Sequence, residues 1–284
     1  MICIECGNPD IKCLFSRYKS EYIKLTVCPY CGQIADKYIE YDSVILFLDI
    51  LLLKKQAYRH LAFNLTEIEL LKQSKQRFNG RMVGIFNKYK QLMKVMFVIV
   101  LFEVYLMWAK EEKKPDHSMA ITAILEQPVL IQYVYFISKS LVEKLIFNIV
   151  ILSLFRWVCG WGSTNINTNV PKNLQFGYSN TVLIIAVMMA NSIKLFPILM
   201  LIWPYDQTFI SRPWFDVICF VNLIEAIHVV TSYKYTTITF VLAIAILSEL
   251  CGSKLIHSFV AHYLTDTDYL LLLGEEFNIR ILHH

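Results

Sequence analysis

The longest hydrophobic blocks of this chain lie beyond residue 92. Met93 to Ala109 is apolar apart from Lys94 and Glu103, and Tyr105 and Trp108 near its end suit a membrane–water interface. From Pro128 to Ile137 the chain is apolar but short, and Lys139, Glu143 and Lys144 follow, so an interfacial or re-entrant segment is expected there. Residues 141–159 predict a second span, with Arg156, Trp157 and Trp161 at its end, and the asparagine-rich stretch Ser163 to Asn173 predicts a loop. Thr181 to Trp203 is the clearest hydrophobic segment, with Pro197 placed to kink it. Residues 214–232 and 235–252 predict a closely spaced helical pair joined at Ser232-Tyr233-Lys234. Since about 20 apolar residues cross a bilayer, the pattern predicts a mainly α fold: a polytopic helical membrane bundle of four to five spans.

The pattern changes ahead of the first span. Residues 44–53 are apolar but half the length of a span, and Lys54, Lys55, Arg59 and His60 follow. Two readings stay open: a helix lying in the membrane interface, or an element packed on the segment before it. Tyr22 to Val27 alternates as a short strand does. Thr66 to Asn79 carries acids early and bases late, the order that suits a solvated helix. Asn64-Leu65-Thr66 is a glycosylation sequon by pattern, expected to be silent. The chain thus divides into 1–64, a cytosolic N-terminal domain; 65–92, a basic helical linker; 93–252, the bundle; and 253–284, a tail.

Composition agrees with a membrane protein: 56% of residues are hydrophobic and only 18% charged, and the mean hydropathy is +0.47. The formal charge is +4, and residues 1–92 hold fourteen Lys and Arg against nine Asp and Glu. A basic excess before the first span places that region on the cytosolic face. No signal peptide is expected, because a cysteine motif occupies the first residues.

That motif is the most informative chemistry in the chain. Cys3-Ile4-Glu5-Cys6-Gly7 and Cys28-Pro29-Tyr30-Cys31-Gly32 are two C-x-x-C-G knuckles at the spacing of a four-cysteine zinc site. Each turn presents two thiolates to one point, and two such turns close a tetrahedron with no open position, which makes the zinc structural. So small a unit needs that staple. Cys3, Cys6, Cys28 and Cys31 are the expected ligands, with Cys13, Cys159, Cys219 and Cys251 left as packing residues.

Glu103, Lys194, Asp216, Glu225, His228 and Glu249 fall in or beside the expected spans. Charge in the bilayer is costly, so such residues face protein or water, either as a polar path or as pairs that only hold the bundle together. Glu225 and His228 share a helix face, but the Glu-x-x-His half-motif of di-iron bundles needs a second copy that the chain lacks. Asp266-Thr267-Asp268 reads as a polar turn, and there is no P-loop, G-x-S-x-G or G-x-G-x-x-G. An enzyme is not expected.

The knuckles, the block Asp49-Ile50-Leu51-Leu52-Leu53-Lys54 and the run Ala57-Tyr58-Arg59-His60-Leu61-Ala62-Phe63-Asn64 together resemble the Arv family of endoplasmic reticulum membrane proteins. The resemblance implies a multi-pass protein of the endoplasmic reticulum, with the Golgi as a further site. It implies a role in sterol and lipid distribution and in the supply of glycosylphosphatidylinositol intermediates, by moving such lipids across or between membranes. The competing reading is an adaptor whose zinc ribbon recruits lipid-synthesis or glycosylphosphatidylinositol-assembly enzymes. The implied partners are sterol, glycosylphosphatidylinositol intermediates and anionic phospholipid, and not nucleic acid. The motif role carries over to the four cysteines and to Asp49, Tyr58, Arg59, His60 and Asn64, with Arg59 and His60 expected to meet a phosphate headgroup. Glu103, Lys194, Glu225 and His228 are the intramembrane polar candidates.

Overall fold

Phe15–Arg17 (β1) and Ile23–Leu25 (β2) form an antiparallel pair, with Phe15 opposite Leu25 and Arg17 opposite Ile23. A single bridge between Val27 and Ile34 extends it, so the strand read at 22–27 is present in shortened form. These elements belong to a computed structural model that describes residues 1–18, 22–68, 90–112, 119–162, 172–195 and 212–265. Most of the helix expected at 66–79, residues 196–203 of the third expected span and the Asp266-Thr267-Asp268 turn lie outside the described residues.

The apolar run after the ribbon is helical: Ser43–Leu51 (α1), then Lys55–Arg59 (α2), which opens into a π-helical turn over His60–Leu65. Leu53, in the left-handed region at φ 58°, separates the two helices. Its N–H donates to the Ile50 carbonyl and that of Lys54 to the Asp49 carbonyl, which closes α1 in the manner of a Schellman turn. Glycine is the usual residue at such a position, and leucine there bears roughly 1 kcal/mol of strain.

Further on come Lys90–Glu112 (α3), Met119–Leu125 (α4), Val129–Trp157 (α5), Lys172–Ala190 (α6), a 3₁₀ turn at Asn191–Leu195, Arg212–Thr231 (α7) and Tyr235–Thr265 (α8). The chain is therefore mainly helical. Of the segment expected to be interfacial or re-entrant, 128–137, residues from Val129 on form the start of the continuous helix α5, which removes the re-entrant reading. Lys144, one of the charges taken to interrupt it, pairs with Glu103 on α3. Of the loop read at 163–173, residues 163–171 lie outside the described residues, and Lys172 already begins α6. Helix α8 runs through the expected boundary at 252 to Thr265. Among the described residues one helix, Tyr235–Val260, is long and apolar enough to cross a membrane. Charges within α3 and α5 confine their apolar stretches, and on α3 the apolar stretch is Val100–Ala109, which still carries Glu103.

The chain forms two compact units, one of Met1–Leu92 with Leu152–Phe240 and one of Met93–Ile151 with Val241–His284. In the first, α2 and the π-helical turn pack on α6 and α7. Its core is built from Ala57, Tyr58 and Leu61, from Val182, Leu183, Ala186 and Ala190 on α6, and from Leu223, Ala226, Ile227 and Val230 on α7, all buried. The spacing of these positions follows the helical repeat, and the alanines let backbones approach closely. In the second unit Val104, Ile124, Tyr135 and Phe136 form the buried cluster. Its polar interior includes Tyr135 Oη, 2.6 Å from His257 Nδ1. Gln132 accepts from Trp108 Nε1 at 2.8 Å and donates to the Leu125 carbonyl at 2.7 Å.

Candidate metal centre

Both knuckles fold by the same local rule. The Gly7 N–H donates to the Cys3 carbonyl and the Gly32 N–H to the Cys28 carbonyl, each at 2.9 Å. The glycines take φ 78° and 72°, a conformation that costs them nothing. Each turn is tied by a second bond, Cys3 N–H to the Asn8 carbonyl at 2.9 Å and Cys28 N–H to the Gln33 carbonyl at 2.7 Å.

The four sulfurs of Cys3, Cys6, Cys28 and Cys31 then lie within 4.8 Å of one another, and Cys3–Cys31 and Cys6–Cys28 are each 3.8 Å apart. A tetrahedron with metal–sulfur bonds of about 2.3 Å has edges of about 3.8 Å. The set therefore fits a closed four-thiolate metal site. Burial works to raise the Cys28 thiol, but the backbone N–H groups of Cys31 and Tyr30 outweigh it and bring it down to about 7. At Cys3 burial prevails over the N–H groups of Cys6 and Glu5 and pushes the thiol up to about 12. Cys13 stands outside the cluster and is exposed rather than packed.

The 44–64 stretch clasps this centre from below. Arg59 Nη1 donates to the Ile4 carbonyl at 3.0 Å and to the Glu5 carbonyl at 2.7 Å, over the first knuckle. Asn64 accepts from the Ile2 N–H at 2.8 Å and donates to the Ile2 carbonyl at 3.0 Å, pairing both backbone groups as a neighbouring strand would. Asn64 Nδ2 also donates to Asp36 Oδ2 at 2.7 Å, and His60 Nδ1 lies 2.7 Å from the same oxygen. Asp36 and Asn64 are completely buried and His60 nearly so. The amide nitrogen a glycan would use is thus committed inside the protein.

Asp49 accepts from Tyr38 Oη at 2.7 Å and from Lys54 Nζ at 2.6 Å. Burial works to raise its carboxyl, yet these bonds hold it below the usual range. The Tyr38 ring also lies 5.5 Å from the His60 ring, which joins the two anchor points.

Tyr58 turns the other way, into the helices. Its hydroxyl is oriented to Asn222 of α7. Asn222 Nδ2 donates to the Ala190 carbonyl at 2.6 Å, where α6 ends. The buried Tyr58 Oη and Asn222 Oδ1 complete no hydrogen bond.

The remaining candidates are scattered. Glu225 accepts from Tyr235 Oη at 3.0 Å and lies 4.0 Å from Lys55 Nζ. His228 donates from Nδ1 to the Tyr233 carbonyl at 2.8 Å and stacks on Tyr235, so this pair sits at the α7–α8 turn. Lys194 lies in the 3₁₀ turn after α6, and Glu103 in the second unit pairs with Lys144. Asp36, Tyr38 and Asn222 are absent from the sequence reading, and no spacing marks them.

The profile of the Arv1-like family matches residues 2–227. The chain belongs to the Arv1-like family. Protein ARV1 of Candida albicans is 51% identical over 259 residues, 89% of this chain and 88% of the relative. Protein ARV1 of Saccharomyces cerevisiae is 29% identical over 327 aligned positions, 96% of this chain and 97% of the relative. With the human Protein ARV1 the likeness is confined to 68 residues, 24% of each chain, yet reaches 47% identity. No solved structure matches. Within this Arv1-like chain, Arg59, His60 and Asn64 bond to the ribbon that carries the four cysteines, Asp49 is held by Tyr38 and Lys54, and Tyr58 faces the helices.

Proposed function

We propose that this Arv1-like chain mediates sterol and lipid distribution in the endoplasmic reticulum membrane, with a structural zinc ion held by Cys3, Cys6, Cys28 and Cys31 on the cytosolic side. The helices, four to five of them spanning, move sterols or glycosylphosphatidylinositol intermediates across or between membranes. Family membership supports the reading, as does the seam formed by Asp36, His60 and Asn64. The seam carries the argument. It is buried, it joins the ribbon to the π-helical turn, and that turn packs on α6 while α2, continuous with it, packs on α7. A ribbon working only as a tether would need no such joint. Zinc binding would then set the position of the 44–64 stretch, and through it the helix pair. In this proposal Glu103, Lys194, Glu225 and His228 offer polar stations to a headgroup.

Purified protein in vesicles, given labelled sterol, phospholipid and a glycosylphosphatidylinositol precursor, tests it. Movement of one lipid class, lost in Cys28→Ser/Cys31→Ser, is the expected result. A zinc-loaded, folded protein that moves none of them overturns transport. The adaptor reading has its own support in the exposed Val27, Tyr30 and Ile34 beside the second knuckle, and it predicts lipid movement only after a partner enzyme is added.

A further inference from the structure

We propose that α1 lies in the headgroup–acyl boundary of a phospholipid bilayer, immersed along Val44, Ile45, Leu48 and Leu52, with Lys54 and Lys55 at anionic headgroups. This rests on the membrane reading above and gives one element of it a place.

Helix α1 buries Asp49 and Ile50 and turns an apolar stripe outward, where a helix in water would be polar. Val44 and, at the C-cap, Leu52 are each 68% exposed, Leu48 is 51% and Ile45 43% exposed, whereas the one charged residue of the helix, Asp49, is only 7% exposed. Positions 44, 48 and 52 recur every fourth residue and form a single stripe, with Ile45 beside it. The opposite side is fixed by a polar anchor, since Asp49 is held by Tyr38 and Lys54. Rotating α1 to hide its aliphatic stripe would break both bonds. The Leu53 turn fixes the helix end as well. The fold therefore presents the stripe outward by construction, and an apolar medium is the environment it suits.

Three observations favour a bilayer over a protein partner. The stripe is purely aliphatic, without the Trp, Tyr or Arg anchors that dominate protein interfaces. Tyr41, exposed just ahead of α1, and Lys54 and Lys55 just after it are the flanking types found at headgroup depth. The two lysine side chains are 48% and 58% exposed, so their charge reaches outward despite contacts to Asp49 and Glu225. In addition, α7 of the same unit leaves Val217, Ile218 and Val221 about half exposed. Nine residues make a helix of about 13 Å, too short to cross, so α1 lies in the plane.

The experiment places a benzophenone amino acid at Leu48, Leu52, Lys24 or Leu247 of the full chain, reconstituted in phosphatidylcholine vesicles with and without phosphatidylserine. Leu247 is an exposed residue of the span-length helix, and Lys24 an exposed strand residue. The expected result is lipid adducts at Leu48, Leu52 and Leu247 about tenfold above Lys24, with the Leu52 yield raised by phosphatidylserine. Val44→Glu/Leu48→Glu should lower the Leu52 adduct while zinc content stays at one per chain. Adducts at Leu247 but not at Leu48 overturn the inference and leave the membrane reading standing. Adducts at Leu48 to a second copy or to another protein overturn it in favour of a protein interface. No lipid adduct at Leu247 either means that the membrane reading fails, and this inference with it.

Discussion

His60 Nδ1 lies 2.7 Å from the Asp36 carboxylate, which also accepts from Asn64 Nδ2 at 2.7 Å and from the Tyr38 N–H at 3.1 Å. Three donors converge on one buried carboxylate, drawn from the ribbon and from the π-helical turn. Removing one partner of such a set leaves buried polar atoms unpaired, at a cost of about 2–3 kcal/mol. His60→Ala and Asn64→Ala should each lower the unfolding free energy by that amount in detergent. Asp36→Ala, which strips the acceptor from all three donors, should cost at least as much. Hydrogen exchange over 55–65 reads whether the loss is local, and unchanged protection in Asp36→Ala would sink the idea that this seam holds the ribbon on the helices.

Asp49 supplies a pH signature. Its native pKa is depressed, so its contribution to stability is complete above the ordinary carboxylate value near 4 and disappears as pH falls through the lower native value. Asp49→Asn should therefore flatten that part of the acid limb of a melting curve. Lys54→Gln, which removes the stronger of the two bonds, should move the loss to higher pH. An acid limb identical in wild type and Asp49→Asn counts against the anchor.

The legible parts of this chain are those fixed by local rules. Metal geometry dictates the spacing of Cys3, Cys6, Cys28 and Cys31, and glycine stereochemistry dictates Gly7 and Gly32, so the centre can be read directly. Arg59, His60 and Asn64 are visible as a motif, but their use is not. Each bonds to a residue more than twenty positions away, Ile4, Asp36 or Ile2, and no periodicity encodes such a pairing. The interruption read into α5 fails for the same reason: the partner of Lys144 is on another helix. The outward face of α1 could not be chosen from composition, because the run 44–53 is apolar all round except at Asp49.

Zinc uptake should release protons. Cys28 is brought down to about 7 while Cys3 is pushed up to about 12, so at pH 8 the metal-free centre holds at least the Cys3 proton, and a thiolate must form there for the metal to bind. Titration calorimetry in two buffers of different ionisation enthalpy should show at least one proton released at pH 8, with affinity rising as pH increases. Cys28→Ser/Cys31→Ser should bind no stoichiometric metal and should lose amide exchange protection over residues 2–7, the first knuckle that the Arg59 side chain and Asn64 bond to. Full protection there without metal would mean that the 44–64 stretch holds the ribbon unaided.

In the second unit the contact between Gly252 and Ile146 gives a prediction whose sign can be argued. A Cβ added at Gly252 would clash with Ile146 Cδ1. Glycine within α8 costs roughly 1 kcal/mol of helix propensity relative to alanine, so the glycine is kept for close helix approach. Gly252→Ala alone gains that propensity but must turn the part-buried Ile146 side chain off its rotamer, at about 0.5–1.5 kcal/mol, so the gain is offset. Ile146→Val deletes the Cδ1 that clashes. In that background Gly252→Ala should turn stabilising, with a coupling of about 1 kcal/mol or more between the two sites. Melting of the four proteins of this cycle in detergent measures it, and simple additivity would show that Ile146 swings aside freely.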